Sequence, residues 1–457
     1  MTGLIKDLSM IKNSQEILSH GHAELRRSLL EIIQAGLKAG DPSAGTRKQV
    51  SLVGDWLMVE GQRYPLKEIG RIFVVGAGKG SFPIAEALEE ILGSLIAKGV
   101  VVVKRGGRRR LKRIEVHEAS HPIPDESSLI GAQKILEIAH QAGERDIVFA
   151  AITGGSSALV TLPPEGITLE EIRELNDMLL KSGAVIRDIN IVRKHLCRMK
   201  GGRLVAHIQP AEAVTLTLDT APEGMPWPDM CLADPSTFQD AISVLQYYDL
   251  WESISDSIRK YLLEGQNRPE LETVKSLAGM KARIISVGDP PSMCRAAADY
   301  AQKLNYQPII LSTRLEGEAR EAGIFMAGIA SEIIKYQRPI SPPCALISGG
   351  ETTVTIRGKC GAGGPNQEFV LGFAHKLRAP GEFACASVDS DGTDGPTEIA
   401  GGIVDHLTRD EAEKLKVDIA QALKDHNSSE ALTKLGDAIM TGHTGTNLQN
   451  LRVILIH

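Results

Sequence analysis

Arg71-Ile72-Phe73-Val74-Val75 runs directly into Gly76-Ala77-Gly78-Lys79-Gly80. The first five residues read as a buried strand, and the next five as a turn too tight for side chains, with a lysine at the mouth of a helix. Pro83 suits a first helical turn, and Ile84, Ala87, Leu88, Ile91 and Leu92 recur at helical spacing. Strand, glycine turn and helix in that order announce a layered α/β fold. Backbone N–H groups at a helix start attract anions, and Lys79 adds a full positive charge. Two common phosphate-binding turns are excluded. A dinucleotide fingerprint needs a third glycine where Ser81 stands, and a P-loop needs a glycine in place of Phe73.

The rest of the chain fits this reading. At 457 residues it exceeds one ordinary core, so two or three domains are expected. Strand-like runs occur at 71–75, 99–103, 147–152, 213–218, 283–287, 307–311, 344–347, 384–388 and 452–456, mostly with helical stretches between them. Residues 8–38 read as helix. Such alternation predicts two α/β domains with largely parallel sheets. The polar segment Glu264–Gly279 places the boundary near 270, giving domains 1–270 and 271–457.

A net charge of −6 argues against wholesale nucleic-acid binding. The basic run Lys104–Arg113 lacks interleaved aromatics and reads as a solvated loop. Apolar runs are too short to span a membrane, and the N-terminus lacks an apolar signal core, so a cytoplasmic protein is expected. The six cysteines, Cys197, Cys231, Cys294, Cys344, Cys360 and Cys385, are scattered without a C-x-x-C pair, against zinc and against a disulfide framework.

Further segments are rich in glycine, hydroxyl, amide and charge. In His121-Pro122-Ile123-Pro124-Asp125 two prolines stiffen the backbone, and His121 is either a ligand-facing donor or a helix cap. Gly154, Gly155, Ser156 and Ser157, after Thr153, offer N–H groups and hydroxyls to a phosphate or carboxylate. Arg193, Lys200 and Arg203 fall within a few turns of one another, suited to an anionic ligand or to surface salt bridges. Glu351 follows Ser348-Gly349-Gly350, and Asn366 and Glu368 follow Gly361-Ala362-Gly363-Gly364-Pro365. Asp391 and Asp394 stand in a loop after a strand, where carboxylates hold Mg²⁺ through oxygen and water. Read alone, that Asp-Gly-Thr-Asp-Gly run is a double turn bonded to its own backbone. The final turn holds Thr444, Gly445, Thr446 and Asn447. Residues 150–157 and 345–352 echo one another, each a strand ending in Thr/Ser-Gly-Gly. Anion-binding turns, clustered cations and a few carboxylates form the parts list of phosphoryl transfer, which relies on positioning and charge neutralisation.

These segments resemble the glycerate 2-kinases with a C-terminal MOFRL domain, some of which carry the label hydroxypyruvate reductase. The resemblance rests on G-A-G-K-G at 76–80, H-P-I-P-D at 121–125, T-G-G-S-S-A-L at 153–159 and N-I-V-R-K-H-L at 190–196. It continues through S-G-G-E-T-T, N-Q-E-F, S-D-G-T-D-G-P-T and T-G-T-N. It implies a Rossmann-like N-terminal domain and a MOFRL-type C-terminal domain around a cleft. It also implies ATP and Mg²⁺ as cofactors and phosphorylation of the 2-hydroxyl of D-glycerate. The family's functional lysine carries over to Lys79.

The chain departs from the family pattern in three places. Pro365 stands where relatives often have a catalytic arginine. Only Asp219 matches in the stretch 218–224, which usually reads S-D-V-x-G-D. The terminal turn reads Gly442-His443-Thr444-Gly445-Thr446-Asn447, where G-P-T-G-T-N is usual.

The expectation is therefore a kinase of a small hydroxy acid. Lys79 and Arg193 are catalytic, with Arg193 or Arg203 replacing the missing arginine. Gly76, Gly78, His121, residues 154–157, Lys200, Arg203, Glu351, Asn366 and residues 444–447 bind substrate or nucleotide. Asp219, Glu368, Asp391 and Asp394 hold the metal. No nucleic-acid or membrane partner is expected, and a homodimer is compatible with the sequence. Two other classes compete: an NAD(P)-dependent hydroxypyruvate reductase, which lacks the third glycine and has Lys104 where an acid is needed, and a non-catalytic binder of phosphorylated metabolites.

Overall fold

The computed structural model describes residues 7–106, 110–220, 228–356, 358 and 360–457. Part of the basic run (Gly107–Arg109) and part of the altered stretch (Ala221–Gly224) lie outside them. The chain forms two compact units, Pro42–Val287 and Met1–Asp41 with Gly288–His457.

The unit 42–287 begins with a small antiparallel sheet, β1 (Val50–Val53), β2 (Trp56–Val59) and β3 (Gln62–Pro65), which the sequence reading does not anticipate. Its main sheet contains β4 (Ile72–Ala77), β5 (Ile96–Lys104), β6 (Ile114–Ala119), β7 (Ile147–Ile152), β8 (Glu212–Leu218) and β9 (Ala282–Gly288). The order is β6-β5-β4-β7-β8-β9, and every pair from β6 to β8 is parallel. Unbroken apolar runs explain this arrangement, since a parallel strand is covered on both faces; every residue of β4 and of β7 is buried. The chain leaves β4 towards β5 on one side, then returns to place β7 on the other. In such sheets ligands bind outside the carboxyl ends of the strands where the order reverses. Here that point lies between β4 and β7. Helices Leu169–Lys181, Ile186–His195, Phe238–Tyr247 and Asp256–Gly265 build a separate apolar cluster around Leu179, Val192, Phe238 and Leu262.

The other unit has its own six-stranded sheet, β10 (Gln307–Ser312), β11 (Cys344–Gly350), β12 (Phe383–Asp389), β13 (Gly401–Asp405), β14 (Ala438–Ile439) and β15 (Asn450–Ile456). The order is β10-β11-β15-β12-β13-β14. Only β10 and β11 run parallel; the remaining four pairs are antiparallel. The expectation of a largely parallel sheet therefore fails in this unit. Burial on both faces makes β11, β12 and β15 as apolar as parallel strands. Leu451 of β15 meets Gly36 of the helix Ala23–Ala39. Ile454 and Ile456, on the opposite face by alternation, join Phe369 and Phe373 of the helix Pro365–Lys376.

The division differs from a cut at 270/271 at both ends. Helix 23–39 packs on β15 and on the helix Pro290–Lys303, so it belongs with the C-terminal unit. The segment 271–287 instead adds β9 to the first sheet. The single helix expected over 8–38 is interrupted between Ile17 and Ala23. Among the described residues no helix is long and apolar enough to cross a membrane. All six cysteines are free, five of them buried.

Candidate active site

The turns after β4 and β7 are interlocked. Lys79 N donates to Gly154 O (2.8 Å), Thr153 N to Ala77 O (3.0 Å), and Gly80 N to Thr153 Oγ1 (2.9 Å). Ser81 Oγ donates to Ala151 O (2.8 Å) and lies 3.2 Å from Thr153 Oγ1. The glycines permit this closeness. Gly78 has φ +136°, and a Cβ there would stand 2.2 Å from Thr153 Oγ1; one on Gly76 would stand 2.8 Å from Ala151 O.

This geometry corrects the reading of 76–80 as an open anion nest. Gly78 N–H goes to Val102 O and Ser81 N–H to Gly78 O. Four successive N–H groups are thus spent inside the protein, and Gly76 and Gly78 serve close packing. The open donors lie on the opposite turn. Among the described residues, the N–H groups of Gly154, Gly155 and Ser157 have no acceptor. Gly155 adopts φ +87°, and Ser156 Oγ is buried without a partner.

Side chains gather around that second turn. A Cβ on Gly155 would meet His121 Nε2 at 3.1 Å and the Lys79 stem at 3.5 Å. Burial first, then Lys79 and Lys104, lower the His121 pKa to about 4, so the imidazole is neutral at pH 7. The helix cap is Asp125, not His121; Asp125 accepts from Ser127 N and pairs with Arg105 at 2.9 Å. Lys200 is buried and donates through Nζ to Ser157 O (3.0 Å). Arg193 donates through Nε to Asn176 Oδ1 (2.6 Å), and no described acceptor takes its terminal nitrogens. Burial lowers the Arg193 pKa, and Asp229 opposes the shift. Arg193, Lys200, Ser157, Asn176, Pro122 and Pro124 line one pocket, closed by Ile172, Leu175 and Leu196.

Arg203 does not join them. Its Nη1 donates to the carbonyls of Lys194, Cys197 and Lys200, and Nη2 to Leu271 O (2.7 Å). It ties the end of helix 186–195 to the segment before β9. Asp219 is exposed at the end of β8.

In the other unit, carboxylates cluster at the ends of β11 and β12. Asp394 is fully buried. It accepts from Asn366 N (3.1 Å) and Nδ2 (2.9 Å), and from Gln367 N (3.0 Å) and Nε2 (3.1 Å). It secures the start of helix 365–376 and leaves Asn366 buried between Asp394, Asn450 and Ser387. Pro365 is the first residue of that helix, the position where a missing N–H costs nothing. Glu368 is buried against His426 Nδ1 (2.8 Å). Asp394 and Asn366 are thus occupied by the protein itself, whereas Glu368 spends Oε1 on His426 and its buried Oε2 has no partner among the described residues.

Thr444 and Thr446 likewise tie their loop to Ser390 O (2.5 Å) and Gly40 O (2.7 Å), with Gly445 at φ +83° and Asn447 half-buried beyond them. Asp391 Oδ1 accepts from Thr393 N and Oγ1, as in a double turn bonded to its own backbone. Among the described residues, no three His, Cys, Asp or Glu side chains stand together as a metal-ligand set.

Two further residues matter here. Asp389 is pushed well above the carboxylate range by burial and then by Asp391, Asp394 and Glu351. Arg452 is buried in β15. It donates to Thr352 Oγ1 (2.8 Å) and Gly350 O (3.3 Å), and burial lowers its pKa to about 10 against the pull of Asp394, Asp389 and Glu351. The signal for Arg452 was available: a charge inside Asn-Leu-Arg-Val-Ile-Leu-Ile needs buried partners. Asn176 and Asp229 left none, because each is a single polar residue in an unremarkable context.

Comparison with known proteins agrees with this architecture. Residues 28–263 match the domain of unknown function DUF4147, and residues 344–450 match the MOFRL family. The chain is 41% identical over 435 residues to the glycerate 2-kinase of Pyrococcus horikoshii, covering 95% of this chain and 98% of that one. It superposes on the crystal structure of glycerate kinase from Thermotoga maritima with TM-score 0.84 at 36% identity, covering 95% of this chain and 100% of the other. A protein of Agrobacterium vitis named putative hydroxypyruvate reductase is 36% identical over 438 residues, 94% of each chain. The fold and site define a two-domain α/β phosphotransferase with a DUF4147 and a MOFRL domain. The chain belongs to the glycerate 2-kinase family.

Proposed function

We infer that this protein transfers the γ-phosphoryl group of ATP to the 2-hydroxyl of D-glycerate, giving 2-phosphoglycerate. One observation carries the reading. Lys79, Arg193 and Lys200 converge on the 153–157 turn at the strand-order reversal, beside three open N–H groups. Such a set suits an anionic substrate, and its fixed donors stabilise the charge that develops in the transition state.

In this reading Arg193, held through Nε by Asn176, presents its two terminal nitrogens to the substrate carboxylate as a fork. Lys79 faces the phosphoryl group in transfer. Neutral His121 beside it donates or accepts a hydrogen bond without adding charge. The apolar wall of Ile172, Leu175 and Leu196 limits the size of the acid.

Mg²⁺ commonly takes one or two carboxylates and completes its shell with water and phosphate oxygens. Asp389 and Asp391 fit that demand, since their mutual repulsion and the burial of Asp389 are relieved by a cation. The ion would neutralise phosphate charge. The reductase alternative loses support, because the 78–81 N–H groups that would cradle a dinucleotide pyrophosphate are spent.

The test is an assay with D-glycerate, ATP and Mg²⁺ that follows ADP. Turnover supports the kinase. NADH oxidation on hydroxypyruvate without ADP formation refutes it.

A further inference from the structure

Lys12 and Asn13, just before the helix Ser14–Ile17, are bonded to the end of β14. Lys12 N donates to Met440 O (2.7 Å), Asn13 Nδ2 to Ala438 O (2.8 Å), and Met440 N to Asn13 Oδ1 (3.0 Å). These bonds fix Lys12 where the chain leaves β14 for the final turn, and its side chain runs on over that turn. A Cβ built on Gly442 would stand 2.1 Å from Lys12 Nζ, 3.0 Å from Cε and 3.9 Å from Cδ. The lysine stem therefore lies along Gly442, where any side chain would displace the ammonium. Lys12 is exposed, and among the described residues nothing accepts from its ammonium or pairs with it. The cation is held in place by its backbone and left open for a ligand.

The turn under the ammonium has open donors of its own. Among the described residues, the N–H groups of Gly442, His443 and Gly445 have no acceptor. Gly442 adopts φ +68° and Gly445 φ +83°; left-handed residues alternating with ordinary ones form concave N–H arrays that take anions. His443 is exposed and both glycines are half-buried, so a ligand can reach them. The turn is also bonded to the loop that carries Asp391. Thr444 N donates to Asp391 O (3.2 Å) and Thr444 Oγ1 to Ser390 O (2.5 Å), and a Cβ on Gly392 would stand 1.9 Å from Gly442 O. A cation, open N–H groups and the loop of the Asp389–Asp391 pair thus meet at one turn.

We propose that Lys12 binds the phosphate tail of the nucleotide, over an anion site formed by the N–H groups of Gly442, His443 and Gly445. This rests on the kinase reading above. An ammonium is a compact point charge with rotatable donors, which suits a polyphosphate whose charge is spread over several oxygens. A carboxylate is better met by a planar fork such as Arg193 offers. Phosphate charge that the metal leaves unmet therefore falls to Lys12.

The experiment measures MgADP and 2-phosphoglycerate binding separately by isothermal titration with wild type, Lys12→Met and Lys12→Arg, alongside the ADP assay. Methionine keeps an apolar stem over Gly442 and removes only the charge, so Tm should stay within about 2 °C. Losing a charge-assisted hydrogen bond weakens binding about 10–100-fold. The Kd for MgADP and the KM for ATP should rise by that factor in Lys12→Met, with the Kd for 2-phosphoglycerate unchanged. Lys12→Arg should recover most of the affinity. The gap between wild type and Lys12→Met should narrow between about 0.05 M and about 0.5 M salt, which a merely structural role would not produce. An unchanged MgADP Kd in Lys12→Met overturns the proposal, as does a loss shared with or confined to 2-phosphoglycerate. Wild-type protein that neither binds MgADP nor forms ADP refutes the kinase reading and the proposal with it. Wild-type turnover with an unaffected variant refutes the proposal alone.

Discussion

Replacing Thr153 with valine removes one oxygen while keeping the side chain's shape, and so isolates the lock between the two turns. Thr153 is fully buried, and its Oγ1 is the acceptor for Gly80 N–H at 2.9 Å. Ser81 Oγ keeps its bond to Ala151 O in the variant, so a single donor is orphaned. A buried N–H left without an acceptor costs about 1–3 kcal/mol. For a unit the size of 42–287 a loss of about 2 kcal/mol lowers Tm by roughly 4–8 °C. The same change loosens the backbone on either side of Lys79, so kcat should fall by about tenfold, the effect of misplacing a positioning group by a fraction of an ångström. Calorimetry gives the first quantity and the ADP assay the second. A valine variant with unchanged Tm and unchanged kcat refutes the claim that the lock holds Lys79 in place.

Other outcomes follow from the corrected roles. Arg203→Met should cost about 2–4 kcal/mol in urea unfolding, because it strips a half-buried cation from four carbonyls, while KM for both substrates stays unchanged. Asp394→Ala should destabilise the C-terminal unit by about 3 kcal/mol or more, since four donors at the start of helix 365–376 lose their acceptor. Asp391→Asn should leave unfolding within about 0.5 kcal/mol but raise the Mg²⁺ concentration needed for half-maximal rate. His121 sets a pH dependence. Its folded pKa lies below the ordinary value of 6.5, so the unfolded chain binds its proton first. Stability is therefore complete above about pH 6.5 and is lost as pH falls towards 4. His121→Gln should flatten that decline in urea midpoints measured at pH 7 and pH 5; an unchanged slope contradicts the assignment.

Much of the architecture was legible in the chain. All nine strand-like runs correspond to strands, because each is an apolar segment bounded by turn residues, and most are buried. Strands at 50–65, 114–119, 401–405 and 438–439 escaped, being short, polar or glycine-rich. Strand direction in the second sheet was not legible, since burial on both faces erases the alternation that marks an antiparallel strand. Lys79, Arg193, Lys200 and the 153–157 turn, which the fold brings near one another, stood out in the sequence because glycine and cation density is a local signal. Arg203, Asp394 and Asn366 carry the same signal but spend it on carbonyls and a helix start. Composition cannot tell a ligand's hydrogen bond from the protein's own. The turn at 76–80 shows the same ambiguity: its glycines serve contact with a neighbouring turn.

The most direct test of the account is the identity of the phosphorylated product. ³¹P NMR of the mixture from D-glycerate, ATP and Mg²⁺ should show 2-phosphoglycerate and ADP in equal amounts with wild-type protein, and neither with Lys79→Ala. Formation of 3-phosphoglycerate, or undiminished turnover by Lys79→Ala, would contradict it.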